Sequence, residues 1–159
     1  MRTLKPKGLQ KRSLPFIFLM SVLTLGFYDG FLYYVWAAQL DKMNEQERHS
    51  PLIYTILFVV TQGVMSIFIQ VWLAKDVQRH YNNISDENDN STVGDLVTYL
   101  SVAYASAFIV QMTQNNFGAF FMVAAYLFHR GAKLVIQHDL NRLIDKIDAI
   151  RSAEEPSKA

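Results

Sequence analysis

Asp29 is the first residue in this chain placed where it could do chemistry, because it interrupts an otherwise apolar run, Pro15–Ala38, between Gly26 and Gly30. A carboxylate at that depth is costly in hydrocarbon. It marks either an ion or proton site, or a hydrogen-bond partner in a wet kink or on a neighbouring helix. The second account is favoured, since no other acid stands inside an apolar run to form a relay; if Asp29 only occupies a wet kink between the glycines, Asp29→Asn should be silent, whereas an ion or proton site or an essential hydrogen-bond partner would make it harmful. The flanking Gly26 and Gly30 form a Gly-x-x-x-Gly pair, which lets two helix backbones approach closely. A further run, Leu52–Ala74, carries Thr55, Gln62, Ser66 and Gln70 at spacings of seven, four and four, all on one helical face. Such a face either joins helices through hydrogen bonds of about 0.6 kcal/mol each or lines a wet path. Tyr104 and Gln111 offer a matching polar pair, but the first run adds little beyond Asp29, so the joining role is preferred.

The usual catalytic sets are missing. His49, His80, His129 and His138 share no metal-ligand spacing, and neither His-Glu-x-x-His nor a Gly-rich phosphate loop occurs. With no cysteine there is no thiol nucleophile, zinc ribbon or disulfide scaffold. No Ser-His-Asp set falls at helix-face spacing and no carboxylate pair sits in an apolar setting. The expectation is therefore a protein that is not an enzyme, with no catalytic, cofactor or metal residue to nominate. Asn83-Ile84-Ser85 and Asn90-Ser91-Thr92 have the form of glycosylation sequons, in a loop expected to be cytoplasmic.

The elements that must carry these residues follow from composition. Of 159 residues, 51% are hydrophobic and 13% aromatic, while charged residues reach only 18%, against about 25% in soluble domains. That excludes a disordered chain and a highly charged nucleic-acid binder. Length bounds the chain to one domain. Four apolar runs predict four membrane spans near 15–38, 52–74, 95–113 and 117–136, and hence an all-α integral membrane bundle. The first, about 24 residues, would cover about 36 Å, enough to cross a core of about 30 Å. It is too long for a signal-peptide core and ends in Tyr33, Tyr34 and Trp36, not at a small-residue cleavage site, so it is expected to remain in the mature chain. The second has no charged residue and is bounded by Tyr54 and Trp72, as interfacial anchoring requires. The fourth must extend past His129, Arg130 and Lys133, whose basic side chains would snorkel to the interface; lying along the surface is the alternative.

Orientation follows from charge. Of the 15 Lys and Arg residues, this four-span path leaves only Lys42 and Arg48 outside, so both termini are expected in the cytoplasm. The chain then divides into a basic tail (1–14), a transmembrane domain (15–136) and a polar tail (137–159). Ile136, Leu140, Leu143, Ile147 and Ile150 repeat at spacings of four, three, four and three. They predict an amphipathic C-terminal helix on the bundle's inner face or the lipid surface, with partner binding as the narrower reading.

Leu23-Thr24-Leu25-Gly26-Phe27-Tyr28, the aromatics up to Trp36, a polar turn and a late Gln137-His138-Asp139-Leu140-Asn141 resemble the small bacterial membrane proteins called domain of unknown function 4234. The likeness covers roughly residues 13–145. The family pattern reads Thr-Leu-Gly-x-Tyr, then Gly and an aromatic-Trp pair, then Gln-x-x-Leu-Asn. Here Asp29 stands in place of its Gly and Leu32 in place of its Trp. The resemblance implies a bacterial multipass protein of the cytoplasmic (inner) membrane with no assigned activity. A small accessory or scaffold subunit is the leading expectation. Its surroundings are the lipid bilayer, its partner another membrane protein or a second copy of itself, and nucleic acid is not expected. The alternative is a small oligomeric channel or transporter using Asp29, Gln62, Ser66 and Gln70.

Overall fold

Six helices make up the computed structural model, which describes residues 9–24, 27–43, 50–61, 65–85, 89–113 and 118–154. They are α1 (Leu14–Leu23), α2 (Phe27–Met43), α3 (Pro51–Val60), α4 (Ser66–Ile84), α5 (Val93–Thr113) and α6 (Gly118–Glu154). Among the described residues there is no strand, in line with an all-α fold.

Two of the expected spans are not single helices. Region 15–38 is divided between α1 and α2, and region 52–74 between α3 and α4. Both divisions use the same chemistry. The Thr24 hydroxyl donates to the Met20 carbonyl at 2.8 Å and accepts the Tyr28 N–H at 3.0 Å. The Thr61 hydroxyl donates to the Leu57 carbonyl at 2.6 Å and accepts the Met65 N–H at 3.2 Å. A threonine bonding back to the carbonyl four residues earlier competes with continuation of the helix, while its oxygen serves the N–H groups of the next segment. Ser13 and Ser50 precede these threonines by the same interval, with Pro15 and Pro51 in the first turns of α1 and α3. Residues 13–43 and 50–80 are thus two copies of one hairpin pattern.

At each division the chain doubles back. Gln39 Nε2 donates to the Gln10 carbonyl at 2.8 Å, whereas a straight helix would hold residues 29 apart at about 43 Å. The Tyr54 and Trp72 rings lie 6.5 Å apart, against about 27 Å in a straight helix. Contacts along α6 fix the directions of the rest. Asp29 and Trp36 meet Arg130 and Gln137 in that order, and Gln70 and Tyr81 meet His129 and Arg142. Hence α2, α4 and α6 run parallel, with α1, α3 and α5 running the other way.

The core lies toward the end where the polar connections gather. Trp36, Tyr33, Leu32, Leu40, Ile69, Leu73, Val77 and Tyr81 pack there with Val97, Ile136, Leu140, Leu143 and Ile147. The apolar repeat expected for a C-terminal amphipathic helix therefore enters the core. It is also continuous with the fourth apolar run, because α6 passes through position 136 without a break and covers 37 residues, about 55 Å. The opposite end is apolar on its outside: Phe27 is 85% exposed, Val60 74%, Met112 72% and Phe120 69%. Among the described residues one helix, α5, is long and apolar enough to cross a membrane, over Val93–Val110; α1 and α3 are apolar and shorter. Among the described residues these helices give one segment of clear membrane length where four spans were expected.

Candidate functional site

Asp29 lies in the first turn of α2, just after the Thr24 reversal, and that reversal turns its carboxylate toward both α1 and α6. Ser21 Oγ of α1 donates to Oδ1 at 2.6 Å. Arg130 of α6 reaches both carboxylate oxygens at 3.1 Å through one terminal nitrogen, and the Lys133 ammonium bonds Oδ2. All three charges are out of solvent: Asp29 is 3% exposed, Arg130 7% and Lys133 1%. The spacing of Arg130 and Lys133, one helical turn, puts both on the face of α6 that meets the hairpin. The Arg130 guanidinium also lies 4.9 Å from the centre of the Tyr126 ring, while its Nε is buried without a partner. Formally the cluster holds two cations and one carboxylate. It is an electrostatic clamp joining α1, α2 and α6.

Two uncharged clusters extend the joint. Gln70 Nε2 donates to the Tyr33 hydroxyl at 2.7 Å and lies 3.4 Å from His129 Nδ1, so α2, α4 and α6 share one buried polar contact. The Trp36 indole N–H donates to Gln137 Oε1 at 2.8 Å. Gln137 Nε2 in turn donates to Asn141 Oδ1, and Asn141 bonds the Arg12 backbone through both its amide groups. At the polar end Asp89 accepts from Arg142 at 3.0 Å and from the Tyr81 hydroxyl at 3.2 Å, and pairs with Lys146 at 2.7 Å. The hydrogen bond from Lys146 holds the Asp89 carboxyl below its ordinary range, and that same bond holds the Lys146 ammonium above its own. A shallow groove lined by Lys75, Gln78, Arg79, Asn82, Asn83 and Asp95 opens between α4 and α5.

The residues nominated from the sequence separate here. Asp29 anchors the clamp. Ser66 and Gln70 are buried on α4, but Thr55 belongs to α3, where its hydroxyl donates to the Pro51 carbonyl at 3.2 Å and lies 3.4 Å from the Gly30 carbonyl. The reversal after Thr61 breaks the single polar face expected of Thr55, Ser66 and Gln70. Gly30 is buried against Phe58 of α3, whose Cδ1 would stand 3.0 Å from an added Cβ; its close approach is within this chain. Gly26 and Gln62 lie outside the described residues. Arg130 and Lys133 were expected to snorkel, and instead both turn inward onto Asp29. The signal available was a lone acid in one apolar run and two basic residues one turn apart in another. No group of three metal-ligating side chains occurs among the described residues.

The family model described as Domain of unknown function (DUF4234) matches residues 12–82. That stretch contains both threonine-divided hairpins and Asp29. The late Gln137–Asn141 segment lies beyond it. No curated protein and no solved structure matches the chain.

Proposed function

We propose that this chain is a small bacterial inner-membrane protein that acts as an accessory or scaffold subunit, through helix association and without catalysing a reaction. One observation carries this reading: the distribution of polarity is inverted at one end of the molecule. Leu19, Phe27, Ile56, Val60, Phe108, Met112, Phe120 and Leu127 face outward there, while Asp29, Arg130, Lys133 and Gln70 are buried. A soluble monomer rarely exposes an apolar surface of that extent, whereas a bilayer or a neighbouring membrane helix matches it. Both termini in the cytoplasm belong to the same reading, supported by the gathering of Lys and Arg.

A channel or transporter would draw on the same buried polar side chains. The observation against it is that these groups pair with one another across helices: Asp29 with Ser21, Arg130 and Lys133, Gln70 with Tyr33, and Trp36 with Gln137. Each such bond is modest in a membrane, about 0.6 kcal/mol, and the set fixes how the hairpins meet. The test is alkaline carbonate extraction of bacterial membranes followed by sizing in mild detergent. Retention in the membrane pellet and a stable complex larger than the 18.3 kDa chain support the scaffold reading. Release by carbonate contradicts it.

A further inference from the structure

We infer that only the α5/α6 hairpin crosses the bilayer, and that α1/α2 and α3/α4 are half-depth hairpins entering from the cytoplasmic side and returning to it. This rests on the membrane reading above and adds a topology to it.

Length is the first argument. Helices α1 and α3 contain 10 residues each, about 15 Å, or half of a hydrocarbon core of about 30 Å. The apolar segment of α5, Val93–Val110, has 18 residues, about 27 Å. The short hairpins reverse within about a turn of Asp29 and Gln70, which stand beside Arg130 and His129. From that level α6 continues back to Gly118, roughly 10 Å or more further out, with Phe120, Val123 and Leu127 exposed along it. The two short hairpins stop near the midplane while the long one goes on.

The chemistry of the reversals agrees with those depths. Inside hydrocarbon every backbone N–H and carbonyl needs an internal partner. The hydroxyls of Thr24 and Thr61 supply such partners on both sides of their reversals. Neither 24–26 nor 61–65 carries a charge. The connection between α5 and α6 contains Gln114, Asn115 and Asn116, residues suited to water at the far surface. Burial of Arg130 and Lys133 on Asp29 gives α6 a charge-free exterior at that depth.

Charge placement is the independent argument. A path that crosses at 15–38 and 52–74 leaves Lys42 and Arg48 on the outside. In the half-depth arrangement they return to the cytoplasmic face with the other basic flanks, and residues 114–117, the one external connection, hold no Lys or Arg. Every exception to the positive-inside pattern disappears.

The chain has no cysteine, so single-cysteine variants report sidedness directly. Ser50→Cys, Asn90→Cys, Ala153→Cys and Asn115→Cys are expressed in bacterial cells, shown to remain in carbonate-washed membranes, and treated with a membrane-impermeant maleimide before and after permeabilisation. The expected result is labelling of Asn115→Cys in intact cells, with the other three labelled only after permeabilisation. Labelling of Ser50→Cys in intact cells, with Asn90→Cys protected, would overturn the half-depth hairpins and restore four full spans. Protection of Asn115→Cys until permeabilisation would overturn the crossing by α5/α6. If the unmodified chain leaves the membrane in carbonate, the membrane reading itself fails, and this topology with it.

Discussion

Tyr33 and Gln70 stand 37 residues apart at equivalent places in two successive hairpins, and they bond to each other: Gln70 Nε2 donates to the Tyr33 hydroxyl at 2.7 Å. The interval is the one that separates Ser13 from Ser50 and Thr24 from Thr61. The two hairpins therefore lie side by side in parallel, joined through matching positions on their second helices. Both then rest on α6, through Asp29 in the first and Gln70 in the second.

Asp29 should tolerate substitution poorly. Asp29→Asn keeps an acceptor for Ser21 but leaves Arg130 and Lys133 as buried like charges. Asp29→Ala removes the acceptor as well, and breaking a buried ion pair from one side costs about 3–5 kcal/mol. We expect both variants to lose monodisperse protein in detergent size-exclusion chromatography, Asp29→Ala more severely. Combining Asp29→Leu with Arg130→Met and Lys133→Met should recover much of the loss, because a buried ion cluster can be replaced by apolar side chains. Equal yields of wild type and Asp29→Asn would contradict the clamp.

That expectation reverses the one drawn from the sequence, and the reason is physical. The helical character, the outward apolar residues and the cost of Asp29 were all legible in composition and periodicity. The partners of Asp29 were not, because a contact between positions 29 and 130 depends on how hairpins pack. The reversals at Thr24 and Thr61 were hidden for another reason. An unbroken apolar run reads as one span, and a single hydroxyl bonding in both directions leaves no mark on hydropathy. The repeat Ser13…Thr24 and Ser50…Thr61 was the available sign. The C-terminal repeat at Ile136, Leu140, Leu143 and Ile147 was legible as an apolar stripe, and the structure adds that the stripe enters the main core.

Glycine spacing in the first run drew attention to Gly30, yet Gly94 is the tighter position. An added Cβ there would collide with Gln78 Oε1 and stand 3.1 Å from the Lys75 Cα, and backbone cannot swing away. The Gly94 N–H also donates to Gln78 Oε1 at 2.8 Å. Gly94→Ala should lower the unfolding temperature in detergent, by an overpacking cost of about 1–3 kcal/mol. Gly30→Ala should be milder, since Phe58 can shift and alanine favours the helix by up to about 1 kcal/mol. Comparison of the two melting curves checks the order.

The tie between the α4–α5 connection and α6 should depend on pH at both extremes. Asp89 is held below its ordinary range by its hydrogen bond to Lys146. Its contribution is present above that range and is lost as the pH falls through the lowered value. Lys146 is held above its ordinary range by the same bond, so its contribution persists until the pH rises through the raised value. Limited proteolysis near residues 85–92 should therefore stay constant from about pH 5 to pH 9 and accelerate in stronger acid. Lys146→Ala should raise cleavage at neutral pH and flatten the acid response. An unchanged profile in that variant would separate Asp89 from the tie.

Trp36→Phe preserves most of the packing but removes the donor to Gln137 Oε1, which is buried. An unsatisfied buried acceptor costs about 1–3 kcal/mol. The melting temperature in detergent should fall, and Gln137→Leu should cost less in the Trp36→Phe background than in the wild type, because the two changes share the Trp36 bond while Gln137→Leu alone also removes the bond to Asn141. Additive losses from the two substitutions would show that the bond contributes nothing.

The doubling back of the first apolar run is the feature on which the clamp and the topology both depend, and Gln10 with Gln39 reports it most directly. In the folded-back hairpin these residues are joined by a 2.8 Å hydrogen bond; in a straight helix they would be about 43 Å apart. The chain carrying Gln10→Cys and Gln39→Cys, treated in membranes with a short bifunctional thiol reagent and digested, should yield an intramolecular 10–39 cross-link at high efficiency. If both cysteines react with a monofunctional reagent yet no 10–39 cross-link forms within a chain, the hairpin is wrong and the run crosses the membrane as one helix.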